Sequence, residues 1–327
     1  MRGILDELVF APASLSKNVW DFVEKSPALG CVITAKGSKR NIAFELPFLC
    51  RNLCVERVGS DWPDFCATIR EMGFAIACPV DSLEEVTAAA VPTRMTRQHQ
   101  GEALDAMEVS TADLIEFSLA DSNGAYWGLP QEIRKVERLG PFLDALREAA
   151  AGNTPIGVEI PLGTQSSDLE LVARAEPDFL TISYDERLGG SEATVSAAVI
   201  AVAKQTEELG IPLILNLTNV TQDDAFKYLA LGVDVISIDH VIETMLPEHV
   251  DESAAYVTGR LSSMGVTAAP NKSAAIEAVS TLLESWRQAL SQQLQFCGAA
   301  SLSDFNLDCL RANSEKAQSL TGAKLLR

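Results

Sequence analysis

Short apolar runs recur along the chain and predict buried strands. Each run is bounded by Gly, Pro, Asn or Asp, and most lack the alternation of a half-exposed strand. This pattern is typical of a parallel sheet covered on both faces. The eight runs span residues 46–53, 73–80, 103–110, 112–120, 155–162, 177–185, 212–218 and 233–239.

Helical patterns lie between the later runs. Residues 191–210 and 221–232 have helical periodicity, with Thr221 as an expected N-cap and Gly210 and Gly232 as expected stops. Alternating strands and helices predict the α/β class, and eight strands predict a (β/α)8 TIM barrel. The third run, 103–110, could equally continue the preceding helix, and only the count of eight favours a strand.

Two terminal segments fall outside the predicted barrel of residues 46–270. Within residues 1–45, two extended runs flank a Lys-Gly-Ser-Lys turn and predict a hairpin that closes the barrel floor. Residues 271–327 predict a helical extension, with one long amphipathic helix ending at Gly298 and a short helix pair after it. We expect the three segments to form one structural domain.

Charge narrows the set of partners. The net charge is -19 and the pI about 4.6, so the average surface repels nucleic acid and anionic lipid. No apolar stretch approaches the ~20 residues needed to span a bilayer, and we expect a cytoplasmic protein. Seven cysteines, an odd number in apolar contexts, favour free thiols. Cys50 and Cys54 lack further ligands nearby, so we expect no metal site.

Candidate chemistry gathers where predicted strands end, because in such barrels the C-terminal strand ends form the active site. Glu116 and Glu159 are candidates for proton transfer, although exposed glutamates at strand ends are as plausible. Asp239 and His240 follow the last strand and are further catalytic candidates, against the alternative of a polar loop. The candidate ligand-binding residues are Arg51, Tyr184, Gly189, Gly190, Asn216 and Thr218.

Several segments, in order, resemble the FMN-binding synthase domain of glutamate synthase and its stand-alone relatives. They are DELVFAPASLSK at 6–17, LPFLC at 46–50, ADLIEFSLADSNGAYWGLPQEIRKV at 112–136, PDFLTISYDERLGGSEA at 177–193, GAASLSDFNLDCL at 298–310 and SLTGAKLL at 319–326. The resemblance implies a barrel that binds FMN, often beside an iron–sulfur cluster, and reduces an imine, which is oxidoreductase chemistry on CH–NH2 donors.

The chain departs from the family where the cofactors bind. Asn216, Leu217 and Thr218 stand where the resemblance implies paired glycines, and Asp239 places a carboxylate near the implied phosphate. Glu159 stands where it implies a lysine, and no cysteine follows the last strand. We therefore expect no cofactor, neither FMN nor an iron–sulfur cluster.

Three functions remain open. The first is a diverged member of this family that binds another small-molecule ligand or serves a protein partner as an accessory subunit. The alternatives are an active FMN oxidoreductase with a rebuilt phosphate site, and a flavin-free barrel lyase or isomerase. Self-association into a homo-oligomer is also left open.

Overall fold

Eight parallel strands close into a barrel, which confirms the predicted architecture. The computed structural model describes residues 3–13, 26–34, 41–51, 62–79, 86, 88, 94–98, 112–119, 139–149, 154–162, 166–184, 192–218, 220–238, 241–242 and 272–326. Three strands precede the barrel: β1 Leu8–Phe10, β2 Cys31–Thr34 and β3 Asn41–Phe44. The barrel strands are β4 Phe48–Cys50, β5 Ala75–Pro79, β6 Arg94–Gln98, β7 Leu114–Ser118, β8 Ile156–Pro161, β9 Phe179–Tyr184, β10 Leu213–Leu217 and β11 Val235–Ser237. They pair in chain order, and β11 closes the ring against β4.

Helices surround the barrel and extend it at the C-terminus. They are α1 Trp62–Met72, α2 Leu139–Ala149, α3 Ser166–Arg174, α4 Glu192–Leu209, α5 Gln222–Ala230, α6 Lys272–Cys297 and α7 Glu315–Thr321. Thr221 caps α5 by accepting a hydrogen bond from the Asp224 N–H, as predicted. Gly210 and Gly298 end α4 and α6 with φ of 66° and 70°, a conformation that favours glycine. None of the helices in the described ranges is long and apolar enough to cross a membrane.

Strand alternation divides the apolar side chains into two layers. Residues such as Phe48, Ile115 and Ile182 face outward and pack with the surrounding helices into one core. Trp286 of α6 joins this core, with its ring centroid 5.3 Å from that of Phe48 in an edge-on arrangement. The long C-terminal helix is therefore held by aromatic packing against the first barrel strand.

The hairpin of β2 and β3 fills the N-terminal end of the barrel interior. The two strands are antiparallel, and Ile33, Ile42 and Phe44 are buried against the inward-facing apolar residues of the barrel. We call the whole set the plug cluster; its barrel members are Leu49, Ala75, Ala77, Leu114, Phe179, Ile214 and Val235. The prediction that a hairpin closes the barrel floor is confirmed.

Two barrel strands are each preceded by an aspartate that accepts a backbone hydrogen bond from a neighbouring strand. The Asp178 carboxylate, just before β9, accepts the Ile156 N–H at 2.9 Å, and the Asp234 carboxylate, just before β11, accepts the Leu213 N–H at 2.8 Å. Each aspartate thus satisfies a backbone donor where the preceding strand begins. Burial raises the pKa of Asp234 above 3.8, opposed by this hydrogen bond, and the Glu207 charge raises it further.

The third barrel strand was predicted in the wrong place. Arg94–Gln98 pairs with β5 and β7, so residues 103–110, which lie outside the described residues, are not that strand. The sequence Arg-Met-Thr-Arg-Gln contains one apolar residue, and a search for apolar runs passes over it. The backbone groups of β6 pair on both sides whatever its side chains are, and this pairing places the strand.

The short helix pair after α6 was also wrong in part. Residues 302–304 and 307–309 form 3-10 turns, and only α7 is an α-helix. Between them, β12 Leu310–Ala312 pairs antiparallel with β1, and β13 Lys324–Leu325 pairs parallel with β12. Leu310 and Ala312 are fully buried, so pairing with the N-terminal strand decides their conformation.

Candidate functional site

The two ends of the barrel interior differ in chemistry. The N-terminal end is closed by the apolar plug cluster. Farther along the same strands, the inward-facing positions are polar, because every second residue after a plug-cluster residue shares its face. These positions hold Arg51 on β4's C-terminal side, Glu116 and Ser118 on β7, Glu159 on β8, Thr181 and Ser183 on β9, Asn216 on β10 and Ser237 on β11. The C-terminal end is therefore where a ligand would meet functional groups.

A buried ion cluster forms the centre of this polar layer. Arg51 Nη1 donates to Glu116 Oε2 at 2.9 Å, and Arg51 Nη2 donates to Glu116 Oε1 at 2.7 Å. The same Nη2 donates to Glu159 Oε1 at 2.7 Å. Two parallel bonds to Glu116 make a bidentate pair, the geometry for which a planar guanidinium is suited. Three strands are thus joined by charge-assisted hydrogen bonds.

Burial makes these contacts obligatory. Arg51 and Glu116 are fully buried, and Glu159 is 3% exposed. An unpaired charge at such depth costs several kcal/mol, about 3–5 kcal/mol when one partner of a buried pair is removed. Arg51 Nε has no hydrogen-bond partner within the described part of the chain and is buried as well. The guanidinium therefore carries one donor that a ligand or an adjoining segment can satisfy.

Thr181 and Gly157 complete the packing around the cluster. The Thr181 hydroxyl donates to Glu116 Oε2, so this carboxylate is fixed from two sides. Gly157 on β8 pairs in register with Glu116 on β7 and with Phe179 on β9. A Cβ on Gly157 would lie 2.1 Å from the Phe179 ring, so the missing side chain makes room for that ring directly below the charges.

The predicted site residues fall into four groups. Arg51, Glu116 and Glu159 are brought into contact. Asn216 lies on the same face of β10 as Ile214, two residues nearer the mouth, and Thr218 follows β10. Tyr184, at the end of β9, packs with the outer core, because its position alternates with the inward-facing ones. Gly189, Gly190, Asp239 and His240 lie outside the described residues.

Sequence reasoning missed which groups in the cluster bond to each other. Arg51 was expected to bind an anionic ligand and the glutamates to exchange protons, yet the three groups are each other's partners. Thr181 was not singled out, and neither was Gly157. The available signal was strand alternation. Thr181 stands two residues after Phe179 and so lies on the same face, and a threonine inside an apolar strand needs a polar partner.

The cluster can hold carboxylates in fixed positions below the mouth. Glu159 pairs in register with Ser118, whereas Glu116 pairs with Gly157 two residues earlier on β8, so Glu159 is nearer the C-terminal end. A carboxylate fixed at the base of a polar cavity can accept or donate a proton, or orient a bound hydroxyl or amino group. Arg51 and Thr181 act through these carboxylates and are positioning residues.

Comparison with known proteins identifies the fold. No family model matches the sequence, and no curated protein matches it. A mandelate oxidase variant holding a monooxide FMN adduct superposes with a TM-score of 0.59 at 13% identity, over 92% of this chain and 86% of that one. A flavocytochrome b2 variant with benzoylformate gives 0.60 at 11% identity, over 99% of this chain and 79% of that one.

These likenesses establish the architecture of the chain. It is a TIM barrel like those of the mandelate oxidase and flavocytochrome b2 structures, and the match extends over nearly the whole length. At 11–13% identity the fold alone is shared, and function must be argued from the site.

Proposed function

We propose that the protein is an FMN-type oxidoreductase whose active site is the C-terminal mouth of the barrel. The observation that carries the proposal is the buried cluster of Arg51, Glu116 and Glu159 at this end of an interior whose other end is plugged. Buried ionisable groups at C-terminal strand ends are typical of catalytic sites in such barrels. The shared architecture with a mandelate oxidase that holds an FMN adduct supports the choice of cofactor.

The described residues fit the planar ring of FMN better than its phosphate. Above the ion cluster, hydroxyl and amide side chains offer partners for the polar edge of a planar ring. After β10, however, Asn216, Leu217 and Thr218 contain no glycine to let a phosphate approach the backbone. In this proposal Gly189 and Gly190, which follow β9 in the sequence, supply those N–H groups, and the phosphate site is rebuilt.

Each polar group then has a definite task. Bound FMN would supply the capacity to accept or donate a hydride. Glu159, nearest the mouth, exchanges a proton with a hydroxyl or amino group of the substrate. Arg51 keeps Glu159 in place, and Glu116, fixed by Arg51 and Thr181, holds Arg51. Substrates with an oxidisable hydroxyl or amino group next to a carboxylate are the class to test, and amino or imino chemistry is the form that the sequence resemblance favours.

A specific observation supports a second candidate, a flavin-free barrel that binds another ligand or serves as an accessory subunit. Glu159 carries a negative charge where the resemblance implies a lysine, and it is locked into the buried cluster. With Asp239 following the last strand, the mouth would hold carboxylates where a phosphate should bind, and like charges at short range repel. This candidate predicts a colourless protein.

One titration separates the candidates. The purified protein is examined for flavin absorbance and for iron, its extracted ligand is identified by mass spectrometry, and ligand-free protein is titrated with FMN. The matched variant is Asp239→Gly with Leu217→Gly and Thr218→Gly, which creates the missing glycines. If the protein is an FMN oxidoreductase with a rebuilt phosphate site, the wild-type protein should bind FMN at least as tightly as the triple variant. If only the triple variant binds, the accessory candidate replaces the proposal.

Catalysis is tested on the FMN-loaded protein. Anaerobic bleaching of the flavin by a panel of 2-hydroxy acids and 2-amino acids identifies the substrate class. Glu159→Gln keeps the size of the side chain and should slow bleaching by about 10²–10⁴-fold, the usual contribution of a general base. Glu148→Gln, an exposed change on α2, is the control and should leave the rate unchanged. Equal rates for Glu159→Gln and wild type would remove Glu159 from the mechanism.

A further inference from the structure

Two cysteine side chains meet outside the barrel. Cys297 is the last residue of α6, and Cys309 ends the 3-10 turn before β12, twelve positions later. The Cys297 thiol donates to the Cys309 carbonyl oxygen, with Sγ and O 4.0 Å apart, and the Cys309 thiol donates to the Asp304 carbonyl oxygen at 3.7 Å. Cys297 is half-buried and Cys309 is buried. This contact lies away from the ion cluster and has no role in the proposed function.

The pair sits where three segments of the chain join. Just after β1, the Ala11 N–H donates to the Cys309 carbonyl oxygen at 2.8 Å, and the Ala13 N–H donates to the Phe296 carbonyl oxygen at 2.8 Å. Strand β1 also pairs with β12, directly after Cys309. A covalent bond between the two cysteines would therefore fix the end of α6 to the sheet that joins both ends of the chain.

The pKa values of the two thiols are shifted in opposite directions. The Cys297 thiol, hydrogen-bonded to Cys309, lowers the pKa of Cys309 to about 7, with the Asn306 backbone and Arg311 acting in the same direction. Burial and the neighbouring Asp308 charge oppose this shift. The Cys309 contact and burial raise the pKa of Cys297. Cys309 is thus the more acidic of the two thiols, and Cys297 is the less acidic.

The other cysteines in the described ranges lie elsewhere in the fold. Cys50 and Cys78 on barrel strands and Cys66 on α1 are buried in the core between the barrel and its helices. Cys31 is half-buried like Cys297, but burial and the Asp234 charge raise its pKa to about 12. Cys31 is therefore an unreactive thiol of similar exposure and serves as the matched control.

We propose that Cys297 and Cys309 are a redox modification site, a dithiol that hydrogen peroxide oxidises to a disulfide joining the end of α6 to the turn before β12. The Cys309 thiolate attacks one peroxide oxygen; the O–O bond breaks, giving a sulfenic acid at Cys309 and hydroxide, which takes up a proton to become water. The Cys297 sulfur then attacks the sulfenic sulfur, its proton leaves with the hydroxyl as water, and the S–S bond forms. Two thiols lose two electrons, and one peroxide becomes two waters.

The test uses the full-length protein and hydrogen peroxide. After treatment, alkylation should find five of the seven cysteines free, and dithiothreitol should restore the other two. Trypsin leaves both cysteines in one peptide, between Arg287 and Arg311, which should become about 2 Da lighter through loss of two hydrogens. Cleavage before Asp304 and Asp308 should give separate fragments that remain linked until they are reduced.

Variants and pH assign the roles. At pH 7 the Cys309 thiolate should react about 5-fold faster than an ordinary thiol, since its greater ionisation outweighs its lower nucleophilicity. The rate should be half-maximal near pH 7. Cys309→Ser should leave Cys297 unoxidised, Cys297→Ser should leave a sulfenic acid at Cys309 that dimedone traps, and Cys31→Ser should behave as wild type. Peroxide-treated wild type without a Cys297–Cys309 link overturns the proposal, whether or not the variants fold.

Discussion

The two ends of the barrel interior are equally buried but are stabilised by different forces. At the N-terminal end, Phe44 of the hairpin packs with Phe179 and other apolar side chains. At the C-terminal end, Arg51 and two glutamates lie at the same depth and are held by hydrogen-bonded ion pairs. Apolar packing is non-directional and tolerates repacking, whereas a buried charge depends on every one of its partners. The first end suits stability and the second suits chemistry.

The largest effect should come from removing the cation. Arg51→Met leaves the carboxylates of Glu116 and Glu159 buried beside an apolar side chain and should cost about 3–5 kcal/mol in the free energy of unfolding. Urea denaturation measures this cost. Adding Glu116→Gln and Glu159→Gln should recover part of the loss, because it removes the uncompensated charges. A loss below about 1 kcal/mol would mean that the cluster does not hold this end of the barrel.

Truncating the plug should cost somewhat less. Phe44→Ala removes a ring that is 2% exposed and leaves a cavity at the floor, with an expected loss of about 3–4 kcal/mol in unfolding free energy. FMN affinity, if the protein binds FMN, should remain as in wild type, because the ring lies at the opposite end from the mouth. A stable Phe44→Ala variant with altered ligand binding would contradict the separation of the two ends.

A smaller effect is expected at the boundary between the ends. Gly157→Ala places a methyl group 2.1 Å from the Phe179 ring and should cost about 1–3 kcal/mol by overpacking. Phe179→Leu in the same chain makes space and should reverse part of the loss. Thermal and urea unfolding of both single variants and the double variant give the coupling. Additive effects would show that the ring moves aside freely.

The smallest effect concerns the aspartate before β11. Since the folded state raises the pKa of Asp234, its contribution to stability is present below 3.8 and is lost as pH rises through the raised folded value. Asp234→Asn should remove that dependence and stabilise the protein at pH 7 by no more than about 1 kcal/mol. Asp178→Asn is the matched control: it weakens a contact to Arg147 Nε at 3.4 Å and should destabilise. The free energy of unfolding is measured across a range of pH. If it changes with pH equally in the wild-type protein and in Asp234→Asn, this role of Asp234 is contradicted.

Candidate residues could be recognised from sequence, but their partners could not. The apolar runs placed Glu116 and Glu159 on neighbouring strands and Arg51 after the first strand. Knowing which strands are adjacent and which face a residue occupies does not predict its hydrogen-bond partner. Arg51 therefore looked like a ligand for an external anion until its donors were seen on Glu116 and Glu159.

Hydrophobic patterning by itself determined seven barrel strands, the hairpin and the long C-terminal helix, because these follow from local burial, and composition determined the net negative charge. Tertiary structure alone decided the polar strand β6 and the pairing of β12 with β1, since both depend on backbone hydrogen bonds to distant segments. It also decided the contact between Cys297 and Cys309 and the closure of the ion cluster. Contacts between residues far apart in the chain form only when the barrel closes, and closure is a property of the whole chain.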